Sequence, residues 1–235
     1  MVNITRKQTA EEYVDAGALF VSKLRDPVSC LTHLTGAAAA LLFTPVLLVH
    51  AWQNGASGLD MAALGIFMFS MILMYSASAT YHGLRLEGSG ALVTKRFDHA
   101  CISLLIAGTY TPICVCAMKE KGTVLLCVVW ALALAAIAFK MFWVTCPRWI
   151  SSVIYIAMGW AVVFAMPTLL ESVSTSMLTW LYAGGVIYTV GGVIYALKLI
   201  RFNSRGSMWG SHEIFHLFVM AGSICHYVCI YLLFG

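Results

Sequence analysis

Residues 122–139 read GTVLLCVVWALALAAIAF and contain no Asp, Glu, Lys or Arg. A helix needs about 20 apolar residues to cross the hydrocarbon core of a bilayer, so this run has the composition and nearly the full length of a membrane span. Membrane strands would be about 10 residues long and would alternate polar with apolar side chains. Seven stretches fit the helical pattern: Leu34–Trp52, Met61–Tyr81, Ala100–Met118, Gly122–Phe139, Trp149–Leu170, Met177–Leu197 and Ile214–Phe234. The sequence therefore predicts an all-α integral membrane protein with seven transmembrane helices.

The composition of the whole chain supports this fold class. Of the 235 residues, 61% are hydrophobic and only 10% are charged, and the mean hydropathy is +0.87. Soluble domains have roughly 45–50% apolar and about 25% charged residues, so a soluble globular protein is excluded. The net charge of +4 is too small and too scattered to indicate nucleic acid as a partner. We expect one membrane domain over residues 27–235.

The positions of Lys and Arg predict the orientation of the helices, because these residues concentrate in cytoplasmic loops. One side of the predicted membrane carries only Lys119 and Lys121. The other side carries Arg6, Lys7, Lys23, Arg25, Arg85, Lys95, Arg96, Lys140, Arg148, Lys198, Arg201 and Arg205. This split of 12 to 2 places the amino terminus in the cytoplasm and the carboxyl terminus outside. We expect a multi-pass protein of the plasma (inner) membrane.

The tail over residues 1–26 is polar and mixed in charge, and it lacks the apolar segment of a signal peptide. The stretch Thr9–Glu12 has the pattern that opens a short amphipathic helix, which would lie along the membrane surface. A frayed cytoplasmic tail is the alternative, and the sequence favours neither.

Ionisable side chains at three predicted helix ends indicate a functional site, because such groups are costly inside a membrane. Ser78 and His82 end the second span, Asp98 opens the third, and His212 and His216 open the seventh, all at the predicted cytoplasmic face. Three protein ligands and an open fourth position are typical of catalytic zinc. A nearby Asp can hold or deprotonate the metal-bound water, and a hydroxyl can contact the reacting oxygen. The alternative for each His is a hydrogen-bonded packing residue.

The positions of three further His residues indicate that they do not belong to this site. His226 lies on nearly the same face as His212 but about 21 Å deeper, at 1.5 Å per residue, so a buried hydrogen bond or a proton relay fits it better than metal binding. His50 falls at the outer end of the first span and suits the membrane interface. His99 points away from Asp98 and suits packing. Separately, Gly184 and Gly191 share one helical face, which predicts close helix packing in the sixth span.

The spaced motifs resemble the signature blocks of bacterial hemolysin III proteins, a family related to the progestin and adipoQ receptors and more distantly to the alkaline ceramidases. The blocks are Ser78-x3-His82, Phe97-Asp98-His99, Ala107-Gly-Thr-Tyr-Thr-Pro112 and His212-x3-His216. The resemblance covers the chain from residue 26 to residue 235. It implies seven helices with a cytoplasmic amino terminus and a zinc ion (Zn²⁺) bound by His82, His212 and His216. It also implies that Asp98 contacts the metal-bound water and that Ser78 is the motif serine.

A further family block, E-x2-N-x3-H, matches in spacing but not in every residue. Here it reads Asp26-Pro-Val-Ser29-Cys-Leu-Thr-His33, so Asp replaces Glu and Ser replaces Asn. The roles of Asp26 and Ser29 stay open, as does that of the retained His33. The family name implies cytolysis, but the sequence shows no signal peptide and no amphipathic pore hairpin.

Two functions follow as hypotheses. The first is a zinc-dependent intramembrane hydrolase that cleaves an amide or ester bond of a lipid, with Asp98 as the base and zinc or Ser78 stabilising the oxyanion. The second is non-enzymatic: a membrane-homeostasis, receptor-like or pore-forming (cytolytic) protein with structural zinc. Both make a membrane lipid the expected substrate or ligand, and neither fixes the oligomeric state.

Overall fold

The computed structural model describes residues 19–200 and 209–235, and within these ranges the chain is helical without a β-strand. The α-helices are α1 Pro27–Gln53, α2 Gly58–Gly83, α3 Gly88–Pro112, α4 Thr123–Phe142, α5 Arg148–Gly159, α6 Met166–Ser172, α7 Thr175–Leu197 and α8 Ser211–Tyr231. A π-helical segment (Ile113–Met118) and a 3-10 segment (Lys119–Gly122) join α3 to α4. Two more 3-10 segments, Trp160–Ala165 and Leu232–Phe234, precede α6 and follow α8. The predicted amphipathic stretch Thr9–Glu12 lies outside the described residues.

Six helical stretches of the described chain are long and apolar enough to cross a membrane. Five of them each contain one predicted span, and the sixth, Gly88–Phe142, contains two. Its 55 residues would extend about 80 Å if straight, far beyond a hydrocarbon core of about 30 Å. Instead, α3 and α4 pack against each other, and Lys119 between them has a positive φ of 53°. The multi-pass, all-α architecture is confirmed, whereas the count of seven and the orientation stay predictions.

The ends of the helices follow from local chemistry. At the start of α2, Ser57 accepts a hydrogen bond from the Asp60 backbone N–H, and the Asp60 carboxylate accepts one from the Ser57 backbone N–H. This capping box satisfies two N–H groups that the helix leaves unpaired. Pro27 opens α1, where the missing N–H of proline has no cost. Asp26, immediately before it, is thereby held at the point where the chain enters the helix bundle.

Close packing brings the first and last helices together. Helix α1 packs against α2 and α8, and α7 packs against α8. Gly184 lies against His226, and Gly191 lies against Phe218, so a Cβ at either glycine would overlap α8. The close packing predicted for these glycines is confirmed. Since His212 lies in the first turn of α8, this packing fixes where that residue lies.

Candidate metal centre

Three imidazoles meet where the last turn of α2 faces the first turns of α8. The Nε2 atom of His212 lies 3.1 Å from that of His82 and 3.2 Å from that of His216. The donor atoms of all three residues lie within 4.8 Å of one another. His82 and His216 are buried, and His212 is half-buried. The structure thus brings together the three His residues that the sequence predicted as ligands.

This spacing fits a tetrahedral metal. Ligand nitrogens at 2.0–2.1 Å from a zinc ion in tetrahedral geometry are about 3.3 Å apart, close to the two measured Nε2 separations. Imidazole nitrogen is also a preferred zinc ligand. The residues present therefore fit a zinc ion.

Asp26 contacts the His82 ring at Nδ1, the nitrogen that faces away from the other two imidazoles. Its Oδ2 atom lies 3.0 Å from His82 Nδ1 and also accepts a hydrogen bond of 2.9 Å from Arg25 Nε. When Nδ1 donates to a carboxylate, Nε2 keeps its lone pair for a metal, an arrangement common around metal-binding His. The hydrogen bond from His82 and the Arg25 guanidinium lower the pKa of Asp26 to about 2, against the opposing effect of partial burial. The sequence left the role of Asp26 open. The retained spacing of the block from Asp26 to His33 is the feature that pointed to Asp26 as a residue of the site.

The other two residues of that block also lie at the site. Ser29 donates a hydrogen bond of 3.2 Å to Glu213, on α8 beside His212. The His33 ring stacks on the His216 ring with centroids 3.8 Å apart. Neither ring nitrogen of His33 has a hydrogen-bond partner in the described part of the chain. His33 thus supports the cluster by packing and is not among its three donors.

Asp98 lies beside the cluster rather than within it. It is buried on α3 and lines the same cavity as Ser78, His212 and His216. Ser78, one turn before His82 on α2, lies beside Asp98 in this wall. The structure therefore brings all five predicted site residues to one place, with the carboxyl separate from the three clustered imidazole nitrogens.

Two cavities meet at this point. The first, which we call the apolar cavity, has a volume of about 150 Å³ and is lined mainly by aliphatic and aromatic side chains of α3, α5, α7 and α8. The second, which we call the polar vestibule, has a volume of about 900 Å³ and includes Arg25, Lys95 and Arg148 in its wall. The residues shared by both walls are Asp98, His99, Ser151, Tyr195 and His212. A molecule with one apolar and one polar end can lie across this junction.

The remaining His residues lie outside the cluster. His226 Nδ1 is 2.8 Å from the Gly222 carbonyl oxygen, and its ring lines the apolar cavity. His99 is half-buried, and its carbonyl accepts a hydrogen bond from Tyr155. His50 stacks on Tyr231. The prediction that His226 takes part in a buried hydrogen bond is confirmed.

Comparison with known proteins agrees with these motifs. Residues 21–227 match the sequence model of a family described as Haemolysin-III related. Hemolysin-3 of Bacillus cereus is 33% identical over 203 residues, which cover 86% of this chain and 88% of that protein. The Hemolysin-3 homolog of Bacillus subtilis is 34% identical over 203 residues, covering 86% and 91%. The adiponectin receptor protein of Drosophila melanogaster is 28% identical over 181 residues, covering 69% of this chain and 40% of the receptor. The chain therefore belongs to the haemolysin-III related family.

Proposed function

We propose that the protein is a zinc-dependent hydrolase of the plasma membrane that cleaves an amide or ester bond of a lipid. In this proposal the chain crosses the membrane seven times and the site lies near the cytoplasmic face. The observation that carries it is the convergence of three imidazoles beside Asp98, at the junction of an apolar cavity and a polar vestibule.

His82, His212 and His216 are the residues that would hold the zinc. Asp26 fixes the tautomer of His82 through its contact with Nδ1, which leaves Nε2 free for the metal. A bound zinc ion supplies Lewis acidity, lowering the pKa of a water towards roughly 7 and polarising a carbonyl oxygen. Because the three nitrogens come from the chain and Asp98 stands apart, one position remains for water or substrate.

Asp98 is the proton acceptor in this proposal. Its carboxylate lies beside the cluster, takes a proton from the attacking water and returns it to the leaving amine or alcohol. In this proposal the Ser78 hydroxyl, which shares the cavity wall with Asp98, donates to that carboxylate and orients it. Burial of both side chains excludes bulk water from this exchange.

The two cavities support a lipid as substrate. An acyl chain gains by entering a site walled by aliphatic and aromatic groups, whereas the polar part of the molecule remains in the vestibule. The carbonyl group between these parts would then lie at the junction, where Asp98 and His212 line both walls.

The rival function is non-enzymatic, with zinc in a structural role. A structural zinc site has four protein ligands, and His33 stacks on His216 without joining the three donors, so this function would need the His33 ring to turn towards the cluster. The names of the relatives, hemolysin and adiponectin receptor, indicate cytolytic and receptor roles for those proteins.

The deciding experiment measures zinc content and lipid turnover on the same purified protein. We expect one zinc per chain and release of a fluorescent acyl chain from N-acyl or O-acyl lipids. A chelator should abolish this release and added zinc should restore it. Zinc-loaded protein that turns over none of these lipids would favour the rival function.

The Asp98→Asn variant separates the base from the ligands. Asn keeps the shape of Asp but does not accept a proton near neutral pH. We expect zinc to stay bound, with affinity reduced by no more than about 10–100-fold, and turnover to fall by roughly 10²–10⁴-fold. Outright loss of zinc would make Asp98 a ligand, and full turnover would refute its role as the base. The matched control is Asp60→Asn, because Asp60 lies at the opposite end of α2.

A further inference from the structure

A lysine is buried beside the cavity junction, and no carboxylate of the described residues pairs with it. Lys140 lies near the end of α4 with a relative exposure of 1%. Its Nζ atom donates hydrogen bonds to Ser151 on α5 and, at 3.1 Å, to Cys146 Sγ. Ion pairs in the described part of the chain join Arg25 and His82 to Asp26, and Lys121 to Glu171, so none includes Lys140.

The surroundings of Lys140 suit a protonated amine. Its Nζ atom lies 5.7 Å from the ring centroid of Phe139 and 5.9 Å from that of Tyr155. At these distances the faces of aromatic rings attract a cation. A buried ammonium group with only neutral partners is unfavourable, and a nearby anion compensates for it.

The hydrogen bonds around Lys140 direct a donor towards the junction. An ammonium group donates and never accepts, so the Ser151 oxygen is the acceptor in their contact. The hydroxyl hydrogen of Ser151 is then available for another group. Cys146 Sγ, 3.4 Å away, is a weak acceptor, whereas a negatively charged oxygen is a strong one. Ser151 lines both the apolar cavity and the polar vestibule, so such an oxygen can reach it from the junction.

Other cations in the vestibule wall also lack an ion pair with a carboxylate of the described chain. They are Lys95, Arg148 and Lys198. The acidic residues of the wall are Asp26, Asp98 and Glu213. Asp26 contacts Arg25 and His82, and Glu213 accepts a hydrogen bond from Ser29. Positive charge therefore remains available at several points around the vestibule, which suits a group with several anionic oxygens.

We propose that Ser151, positioned by Lys140, binds a phosphate oxygen of an anionic lipid whose chain occupies the apolar cavity. The phosphate lies in the vestibule among the unpaired cations, and the Ser151 hydroxyl donates to it from the junction. The cavity volume of about 150 Å³ is roughly ten times what one water needs, so the apolar end has room for part of a chain. That this lipid is also the substrate rests on the proposed function. Its binding does not, because binding is measured without turnover.

The test measures the affinity of dodecyl phosphate for the purified protein in nanodiscs of neutral lipid, by calorimetry and by the shift in melting temperature. This probe has no amide or carboxylic ester bond. We expect Ser151→Ala to weaken its binding by roughly 10–100-fold, the usual effect of losing a hydrogen bond to a charged group. Lys140→Met removes the ammonium group that positions the Ser151 hydroxyl and should weaken binding by roughly tenfold. Dodecanol, which lacks the phosphate, should bind both variants as it binds the wild type. Lys121→Met is the matched control, because Lys121 is exposed and paired with Glu171.

Other arms of the test separate the alternatives. Unchanged affinity in both variants overturns the proposal, and so does binding that disappears when a chelator removes zinc. Inorganic phosphate that binds as tightly as dodecyl phosphate overturns the lipid and leaves a free-phosphate site. If Lys140→Met does not fold, Ser151→Ala decides alone, since it removes only a hydroxyl. A protein that binds dodecyl phosphate through these residues but hydrolyses no lipid refutes the proposed function and leaves this inference intact.

Discussion

Replacing Asp26 by Asn should weaken zinc binding without removing any zinc ligand. Asp26 Oδ2 lies 3.0 Å from His82 Nδ1, and the Nε2 atom on the other side of that ring lies 3.1 Å from His212 Nε2. The carboxylate therefore decides which nitrogen of His82 carries the hydrogen. Without a negative charge behind it, His82 is a weaker base and its ring is less firmly oriented.

The expected magnitude follows from what each replacement leaves behind. Loss of such a partner reduces metal affinity by about 10–100-fold, which corresponds to about 1.4–2.7 kcal/mol. Asn retains an oxygen that can accept from His82 Nδ1, so Asp26→Asn should fall near tenfold. Ala leaves the Nδ1 hydrogen without its acceptor and beside the Arg25 guanidinium, so Asp26→Ala should approach a hundredfold.

Competition with a chromophoric chelator on detergent-purified protein measures both affinities. Asp60→Asn is the control, because it removes a carboxylate from the other end of α2. It should lower the melting temperature only slightly, because Asn still offers an oxygen to the Ser57 N–H, and it should leave zinc affinity unchanged. Wild-type zinc affinity in Asp26→Ala, or an equal loss in Asp60→Asn, would refute the reasoning.

Three further predictions concern the metal, the packing and the topology. His212→Ala should reduce zinc content from one per chain to near zero by metal analysis, and full occupancy in this variant would remove His212 from the ligand set. Gly108→Ala should destabilise the protein by about 1–3 kcal/mol in chemical denaturation, because the new Cβ would overlap Ser70, whereas Gly65→Ala meets nothing within 4 Å and should be neutral or stabilising. Reporter fusions should place the amino terminus inside and the carboxyl terminus outside, and two cytoplasmic termini would mean a miscounted span.

The histidine cluster could be predicted from sequence because ionisable residues are rare in an apolar chain and are therefore easily recognised. His82, His212 and His216 fall at helix ends of one predicted depth, and helical spacing alone places the last two on one face. The first residue of α1 was harder to predict from the sequence. The helix begins at Pro27 rather than Leu34, since buried polar residues of its first turns face the histidine cluster and interrupt the apolar run.

The burial of Lys140 could not be predicted from the local sequence pattern. In the sequence it is one of the twelve Lys and Arg residues predicted to lie on the cytoplasmic side. Its burial depends on how Ser151, Cys146 and two aromatic rings surround it, and that depends on packing between elements. The continuity of the stretch Gly88–Phe142 was also not predicted. Its π-helical and 3-10 turns continue the helix where the polar residues of the sequence predict a loop.

The partners in the histidine cluster are far apart along the chain, and His82 and His212 are separated by 130 positions. Asp26 precedes the first transmembrane helix, and two of the three imidazoles arrive with the last. During synthesis the cluster therefore cannot assemble until α8 has left the ribosome and inserted beside α1 and α2. Metal capture at this point would mark completed insertion, and a nascent chain stalled before α8 would hold only one of the three imidazoles.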